Sequence, residues 1–345
     1  MATILVATSS PPFVDGGHLV MARELVTALE ASGHRAALLV TPQNRFGRQG
    51  AAYLAAWCTD VSLAHDGGRV DQVIALRYPA YAVRHDRQVV WLNHRMREYY
   101  DLWEQFSGGL SSRARLKEGV RRAIIHRADR HFLLKARRRF VISATVQARL
   151  QQWGSIPSEV LYPPPPVRPY RNDGYGDYVF AVSRLTPLKR FDLLLRALAE
   201  PAARHVRCVI AGEGSEAESL SRLARQLDLD GRVEFVGRVD DAGLLYHYAK
   251  CRAVIFPVFN EDYGFITVEA FSSGKAVITC RDSGGPAELV RDGQNGFVVD
   301  PSAAALATAI AALVDDRALA MKLGEAGAQQ AARMSWADAV KQLVL

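Results

Sequence analysis

Residues 253–270 read AVIFPVFNEDYGFITVEA, which is an apolar run followed by a short polar loop and the beginning of a helix. The run at 253–256 has the length and composition of a buried strand. The loop turns at Gly264, and we predict a helix from about residue 265 to 273. A strand that leads directly into a helix is the repeating unit of a parallel α/β sheet.

The same alternation continues on both sides of a proline-rich segment. Upstream, apolar runs predict strands at 4–7, 36–40, 73–76 and 89–92, with a helix at 17–29. Downstream, we predict strands at 178–182, 208–211, 233–236 and 276–279, with helices at 191–199, 216–227 and from about 303 onward. Repeated β and α segments of this kind indicate parallel sheets covered by helices on both faces.

The proline-rich segment is predicted to be the linker between two domains. Tyr162 is followed by four consecutive prolines, which exclude both helix and sheet interior. We expect an N-terminal domain at 1–162, a linker at 163–177 and a C-terminal domain at 178–345, whose last helix is free to cross back to the first domain. Two such domains joined by a hinge predict an interdomain cleft, with ligands at the carboxyl ends of the strands.

The composition is that of a soluble globular protein. Hydrophobic residues make up 49% of the 345 residues and charged residues 23%. No apolar run approaches the roughly 20 residues that a bilayer-spanning helix needs. The opening MATILVA lacks the basic flank and cleavage site of a signal peptide, so we expect a cytoplasmic protein.

Two glutamates and two cations are the strongest candidates for chemistry. Glu261 precedes the helix predicted at 265–273 and Glu269 lies inside it, and carboxylates accept hydrogen bonds from sugar and ribose hydroxyls. Arg184 and Lys189 follow the strand at 178–182, where both could reach a diphosphate. The alternative for these four residues is that they are ordinary solvated charges.

Two glycine pairs are weaker signals. Gly16 and Gly17, in FVDGG at 13–17, lie between the first strand and the first helix, where a phosphate could approach the backbone. The segment is not G-x-G-x-x-G, which disfavours a dinucleotide, and a plain turn explains it equally well. For SGGPAE at 283–288 there are again two explanations, glycines that let a ligand approach the backbone or a simple turn.

The ordered set of these segments resembles glycosyltransferase family 4, a large group of retaining GT-B enzymes. The likeness is densest from residue 178 to 300. It consists of VSRL at 182–185 with Lys189, IAGEG at 210–214, FVG at 235–237, two glutamates eight positions apart and GGPAE at 284–288. The resemblance implies a GT-B fold of class α/β, in which two Rossmann-like domains have parallel sheets facing an interdomain cleft.

The resemblance also implies roles for the residues that bind the donor phosphates. Gly16 and Gly17 match the glycine turn that lies against the donor diphosphate. Arg184 and Lys189 match the cationic pair on the same diphosphate. We see no convincing D-x-D segment, so these cations are expected to replace a metal ion, and no cofactor is predicted.

Further matches concern the nucleoside and the sugar. Gly212 and Val239 match positions that line the nucleotide base, and Glu269 matches the glutamate that binds the donor ribose. The group that holds the donor sugar near its anomeric carbon is matched by Glu261 with the backbone of Gly264 and Phe265.

A catalytic histidine is predicted at His94. It matches the first-domain histidine that faces the donor sugar across the cleft, but the match is looser because Asn93 and Arg95 flank it. A structural histidine at a strand end is the alternative. Glu261 and His94 are therefore the two catalytic candidates.

The resemblance implies a hexosyltransferase. The expected reaction moves a sugar from a UDP- or GDP-sugar to a hydroxyl of a glycan, glycolipid or metabolite. The Ala- and Arg-rich composition suggests a bacterial source. In bacteria such enzymes serve polysaccharide biosynthesis. A nucleotide-sugar epimerase or hydrolase of the same fold would need further acid and base residues, which we do not identify. A non-catalytic sugar-nucleotide binding module is a third reading.

The positive charge is concentrated in one segment. Between Arg113 and Arg139 there are eleven Lys and Arg residues against Glu118 and Asp129. Apolar residues recur among them at helical spacing. Either this helix packs on the first sheet with a solvated basic outer face, or it contacts anionic lipid headgroups or a lipid-linked acceptor as a peripheral membrane surface. Nucleic acid is not expected, because no aromatic stacking platform is interleaved with the charges.

Four aromatic residues near the predicted cleft have two explanations. They either form an acceptor platform or pack in the core: Trp91, Tyr99, Tyr100 and Trp103.

Overall fold

The computed structural model describes residues 1–13, 16–43 and 47–345. They form two compact units. The first comprises Met1–Pro166 together with Ser335–Leu345, and the second comprises Val167–Met334.

The first unit is built on a parallel sheet of six strands with the order β2-β1-β3-β4-β5-β6. The strands are β1 (Thr3–Ser10), β2 (Arg35–Pro42), β3 (Gln72–Ala75), β4 (Gln88–Leu92), β5 (Arg138–Val141) and β6 (Glu159–Val160). The helices are α1 (Gly17–Ala31), α2 (Gln49–Cys58), α3 (Trp103–Gly108), α4 (Ser112–Lys135) and α5 (Ala144–Gln152).

The second unit contains another parallel sheet of six strands, with the order β12-β11-β10-β7-β8-β9. Its strands are β7 (Tyr178–Val182), β8 (Arg207–Ala211), β9 (Val233–Gly237), β10 (Val254–Ile255), β11 (Val277–Cys280) and β12 (Gly296–Val299). Its helices are α6 (Phe191–Ala199), α7 (Ala217–Gln226), α8 (Asp241–Lys250), α9 (Phe265–Ser272), α10 (Gly285–Leu289), α11 (Ala303–Asp315) and α12 (Arg317–Ala332).

The strand sequences explain why both sheets are parallel and covered. Every residue of β3, β4 and β11 is buried, and strands covered on both faces are mainly apolar; the two glutamines, Gln72 and Gln88, are the first residues of their strands. Helix α6 buries Phe191, Leu194, Leu195 and Leu198, which is the spacing of one apolar helix face. That face belongs to the core beneath β7 and β8. The predicted α/β class with two parallel sheets is therefore confirmed.

The chain passes between the units without regular structure. Residues 161–176 contain neither helix nor strand, and the unit boundary after Pro166 falls inside the segment predicted as linker at 163–177. The four prolines belong to the first unit, where three of them are buried. The stretch 167–177 belongs to the second unit.

The last helix, α13 (Trp336–Leu343), belongs to the first unit. The indole N–H of Trp336 donates to the carbonyl of Pro165 at 3.0 Å, and its ring meets Trp91 edge-on at 6.0 Å. The side chain of Gln72 donates to the carbonyl of Leu343 at 2.6 Å. The second compact unit therefore ends at Met334, and the last helix of the domain predicted at 178–345 belongs to the first unit, as that prediction allowed.

The four aromatic residues considered as an acceptor platform are all buried: Trp91, Tyr99, Tyr100 and Trp103. Trp91 donates its indole N–H to the carbonyl of Leu161 at 2.8 Å, and Tyr99 stacks on Trp103 at 6.4 Å. Core packing is therefore their role.

Helix α4 is anchored by a buried carboxylate. Asp129 is fully buried and accepts hydrogen bonds from the hydroxyls of Tyr53, Tyr81 and Tyr100, the last at 2.6 Å. Burial raises the pKa of this carboxyl, whereas the nearby Arg95 guanidinium and the three hydroxyl donors act in the opposite direction. The hydrogen bonds of Asp129 point inward and fix α4 to the rest of the first unit.

None of the helices in the described ranges combines the length and the apolar character that crossing a bilayer requires.

We predict that Asp129→Ala lowers the free energy of unfolding by about 3 kcal/mol, because three buried hydroxyls lose their acceptor. Urea unfolding checks this value. The matched control is Arg127→Ala on the exposed side of the same helix, which we expect to change stability by no more than about 0.5 kcal/mol. Equal effects of the two substitutions would contradict the anchoring role of Asp129.

Candidate functional site

The candidate site lies at one edge of the second sheet. In a parallel sheet all carboxyl ends of the strands emerge at the same edge, and ligands bind where the chain order reverses. Here the order reverses between β7 and β10, which are neighbours although β8 and β9 separate them along the chain. The loops that follow these two strands contain the predicted cations and Glu261.

Lys189 and Glu261 meet at this reversal point. Lys189 ends a short 3-10 helix, Pro187–Lys189, and Nζ lies 2.5 Å from Oε2 of Glu261. The lysine is only 8% exposed, and its ammonium lies 5.7 Å from the ring centre of Phe256. A cation this deeply buried needs a counter-charge, which Glu261 supplies across 72 residues of sequence.

A second ion pair lies beside the first and was not predicted. Arg190 makes two hydrogen bonds to Asp282, at 2.8 and 2.6 Å, and its guanidinium lies 4.7 Å from the ring centre of Phe259. Asp282 follows β11. Backbone bonds tie the same loops together, because the N–H of Phe259 donates to Leu188 at 2.8 Å and the N–H of Asn260 to Asp282 at 2.8 Å.

The backbone of Arg190 has a conformation that normally favours glycine. Its φ of 51° is left-handed, and it directly precedes α6. A non-glycine residue in this region costs about 1–2 kcal/mol. The bidentate pair with Asp282 offsets this cost, since Arg–carboxylate forks are among the stronger side-chain hydrogen bonds.

The backbone of Glu261 is held by the loop after β11. Its N–H donates to the carbonyl of Ser283 at 2.8 Å, and its carbonyl accepts from the N–H of Gly285 at 2.9 Å. A side chain on Gly284, which has φ 73°, would put Cβ 2.5 Å from the carbonyl oxygen of Glu261. The glycine pair at 284–285 therefore permits close packing of two protein loops.

Gly264 forms the turn that begins α9. Its φ is 80°, and an added Cβ would lie 2.8 Å from both Phe256 and Pro286. Phe265 is the first residue of the helix and is half-buried. The first backbone N–H groups of a helix lack acceptors within it, so this turn presents donors close to Glu261.

Glu269 lies inside α9 and is buried. Oε1 accepts from Arg168 at 3.1 Å and Oε2 from the hydroxyl of Tyr248 at 2.9 Å. Burial raises the pKa of this carboxyl, whereas Arg168 and the Tyr248 hydroxyl act to lower it. Arg168 also pairs with Asp241 at 3.2 Å. Each carboxylate oxygen can accept a second hydrogen bond, so Glu269 keeps capacity for a ligand hydroxyl.

The remaining predicted residues of the second unit lie along the same edge. Arg184 follows β7 and is exposed. Gly212 follows β8 and donates its N–H to the carbonyl of Gly237 at 2.7 Å. Val239 follows β9 and is half-buried. The sheet thus gathers all eight second-unit candidates at one edge, and Lys189 and Glu261 form an ion pair there.

The first-unit candidates follow strands of the first sheet. Gly16 and Gly17 stand at the start of α1, after β1, whereas Val14 and Asp15 of the same glycine segment lie outside the described residues. His94 follows β4, and its Nδ1 lies 2.7 Å from the carbonyl oxygen of Arg95. It lines a small cavity whose other polar residues are Arg95, Arg97, Tyr100, Asp101 and Arg149.

Four residues that hold the candidate site in place were not predicted from the sequence: Arg168, Arg190, Tyr248 and Asp282. A signal existed for Asp282, because it directly follows the predicted strand at 276–279 and therefore belongs to the same edge. Arg190 adjoins Lys189, but nothing local distinguishes it from a solvated charge. Arg168 lies in the predicted linker, and its contact with Glu269 spans 101 residues.

Each of the two units has a six-stranded parallel sheet, and this architecture, shared with the solved glycosyltransferase structures described below, is the GT-B fold. Residues 169–330 match the family model described as Glycosyl transferases group 1. The matching segment lies inside the second unit and contains every second-unit candidate named above.

Curated relatives match a little under half of the chain. D-inositol 3-phosphate glycosyltransferase 2 of Catenulispora acidiphila is 36% identical over 169 residues, which are 45% of this chain and 39% of the relative. D-inositol 3-phosphate glycosyltransferase of Corynebacterium glutamicum is 32% identical over 171 residues, 47% of this chain and 41% of the relative. The matched segment thus spans about two fifths of the length of these relatives.

Solved structures resemble nearly the whole chain. Sucrose-phosphate synthase from Thermosynechococcus elongatus has a TM-score of 0.75 at 19% identity and covers 98% of both chains. HepE from Anabaena, solved with UDP and glucose, has a TM-score of 0.71 at 19% identity, again over 98% of both chains. WaaG, a glycosyltransferase involved in lipopolysaccharide biosynthesis, has a TM-score of 0.72 at 16% identity, over 98% of this chain and 99% of that protein. At such identities the likeness shows the fold alone.

We predict that Arg190→Gly destabilises the protein by about 1 kcal/mol less than Arg190→Ala, because glycine adopts the left-handed conformation without penalty. A double-mutant cycle with Asp282→Asn should return a coupling of about 1 kcal/mol. Urea unfolding of the single and double variants measures both quantities. Equal stability of the glycine and alanine variants would contradict the strained backbone, and additive effects would contradict the ion pair.

Proposed function

We propose that the chain is a retaining glycosyltransferase that moves a hexose-type sugar from a nucleoside diphosphate sugar, UDP- or GDP-linked, to a hydroxyl of a glycan, glycolipid or metabolite. The observation that carries this proposal is the Lys189–Glu261 pair at the strand-order reversal of the second sheet. It lies inside the segment that matches the glycosyl transferases group 1 model.

Lys189 binds the donor diphosphate, and the exposed Arg184 closes on it from the same loop. Before the donor arrives, Glu261 neutralises Lys189, so neither charge is buried alone. The diphosphate takes the place of Glu261 beside the ammonium. Cations held in a partly buried site stabilise the negative charge that grows on a leaving diphosphate, which a metal ion does in other phosphate sites. We therefore propose that donor binding needs no metal.

Glu261 then interacts with the donor sugar. Once released from Lys189, its carboxylate accepts hydrogen bonds from sugar hydroxyls, while the N–H groups at the start of α9, near Gly264 and Phe265, donate to the sugar or the phosphates. Its backbone is fixed by Ser283 and Gly285, so the carboxylate moves by side-chain rotation alone. Orientation of this kind lowers the barrier to transfer because the reacting groups are held in place.

Glu269 binds the ribose. Its carboxylate is already held by Arg168 and Tyr248, which fix its position and leave lone pairs for the ribose hydroxyls. Gly212 and Val239 line the base from the ends of β8 and β9.

The reaction forms a bond between the acceptor oxygen and the anomeric carbon while the bond from that carbon to the diphosphate oxygen breaks. The nucleoside diphosphate leaves with the electron pair, and the proton of the acceptor hydroxyl passes to the leaving phosphate oxygen. Gly16, Gly17 and His94 stay predictions from the resemblance.

A donor panel tests the proposed function. We expect one of UDP-, GDP-, ADP- and dTDP-sugars to raise the melting temperature and to be slowly hydrolysed. Proton NMR of the released sugar should show that the configuration at the anomeric carbon is retained. EDTA should leave both effects unchanged. Absence of stabilisation by every donor would refute the proposal, and loss of binding with EDTA would refute metal independence. Turnover to an epimer without transfer to any acceptor would favour the epimerase reading.

Two lysine variants test whether the donor binds at the candidate site. Lys189→Ala should weaken donor affinity about tenfold or more, because a charge-assisted contact to the diphosphate is lost. Lys322→Ala, an exposed lysine on α12, is the matched control and should bind like the native protein. Unchanged affinity in Lys189→Ala would show that the diphosphate binds elsewhere.

We predict that Glu269→Gln removes recognition of the ribose hydroxyls. The native protein should bind UDP about tenfold more tightly than 2′-deoxy-UDP or 3′-deoxy-UDP, and the glutamine variant should lose most of that preference. Calorimetry with these nucleotides, or the guanosine set if the panel selects GDP, measures the ratio. Glutamine keeps the shape of the side chain, so a uniform loss of affinity with the ratio unchanged would contradict ribose binding.

A further inference from the structure

Helix α4 directs its acidic residues inward. Glu118 accepts from the hydroxyl of Tyr99 at 2.8 Å and pairs with Arg121, and Asp129 is enclosed by three tyrosine hydroxyls. These are the only acidic residues in the sequence of the helix. The inward face of α4 therefore holds both carboxylates of the helix together with the buried Ile125 and Leu133.

The opposite face is both apolar and basic. Leu116, Val120 and Ile124 are 72%, 57% and 64% exposed, and their four-residue spacing places them in one row along the helix. Exposed cations lie on both sides of the row: Arg113, Lys117, Arg127, Arg130 and Lys135. We call this set of eight residues the α4 outer face.

Within the described ranges, few acidic groups face these cations. Arg115, which is not part of the α4 outer face, pairs with Glu104 of α3 at 3.2 Å, and both side chains are more than half exposed. Arg130 donates to the backbone carbonyl of Gly154 at 3.2 Å, which leaves its charge uncompensated by that contact. The sign of the α4 outer face is therefore strongly positive.

We propose that the α4 outer face docks on an anionic lipid surface, a property of the first unit that does not depend on the donor site. A basic helix with exposed aliphatic side chains lies in the plane of the membrane interface. The row Leu116–Val120–Ile124 enters the boundary between headgroups and acyl chains, and the flanking cations contact lipid phosphates. Contiguous exposed apolar groups surrounded by charge mark interaction surfaces of this type.

Charge and shape favour lipid over other occupants. A second copy of the chain would bring two strongly positive faces together, which is repulsive. Single-stranded nucleic acid is bound on exposed aromatic side chains, and Tyr99, Tyr100 and Trp103 of this region are buried. An anionic bilayer matches both the positive charge and the aliphatic row.

The experiment is co-sedimentation of the full chain with vesicles. We expect binding to vesicles of equal parts phosphatidylcholine and phosphatidylglycerol, no binding to phosphatidylcholine alone, and a steep loss between about 50 mM and about 500 mM salt. The variant Leu116→Ser/Val120→Ser/Ile124→Ser should bind about tenfold or more weakly, because the apolar row is lost. Arg113→Gln/Lys117→Gln/Arg127→Gln should bind weakly as well, with a smaller dependence on salt.

Matched controls lie on the second unit. Met321→Ser on α12 and Arg222→Gln/Arg225→Gln on α7 alter exposed residues of the same kinds and should bind vesicles like the native chain. All substituted positions are exposed, so circular dichroism and melting temperatures should stay close to native values.

Three outcomes would overturn the proposal. The first is no binding to the anionic vesicles at low salt, or unchanged binding of the serine variant. The second is equally strong binding of single-stranded RNA that the serine variant retains, which would assign the α4 outer face to nucleic acid. The third is a dimer in analytical ultracentrifugation that the serine variant dissociates, which would assign it to a second copy of the chain.

Discussion

Parallel pairing between β7 and β10 is the constraint on which the candidate site depends. The two strands are joined through Val254 and Phe180, and they run in the same direction. Both following loops therefore emerge at one edge, although about seventy residues separate them along the chain. Because the chain order reverses at this pair, the connections leave it on opposite sides. Lys189 and Glu261 meet at this point, and the other second-unit candidates line the same edge.

Partly buried charges then decide how the loops are held. A charge removed from water is costly unless a partner and hydrogen bonds compensate it. Lys189 has Glu261, Arg190 has Asp282, and Glu269 has Arg168 and Tyr248. Each pair joins segments that are distant in sequence, so compensation of charge also fixes the geometry of the edge. Under the proposed function, the diphosphate enters this arrangement by replacing one carboxylate. Asp129 is the contrasting case, because its hydrogen bonds come from three tyrosine hydroxyls and its role is to anchor α4.

Most strands of the two sheets were predictable because strands covered on both faces are mainly apolar. The strand at 178–182 and the helix at 191–199 have the predicted bounds. Lys189 and Glu261 were also predictable as candidates, since each follows a predicted strand. Their contact was not, because it depends on which strands are neighbours, and periodicity contains no information about strand order. Arg190 with Asp282, and Arg168 with Glu269, are missed for the same reason: their partners lie 92 and 101 residues away.

The sequence by itself determined the alternation of strands and helices, the resemblance to a glycosyltransferase family, and the residue types at the strand ends. It left two questions open that only the tertiary structure decided. The first is the role of the aromatic residues near the predicted cleft, and burial assigns Trp91, Tyr99, Tyr100 and Trp103 to the core. The second is the orientation of the basic helix, where the inward contacts of Glu118 and Asp129 leave the aliphatic row on the outside. The physical reason is the same for both: local patterns specify which residues share a face of an element, whereas packing against distant segments decides which face is buried.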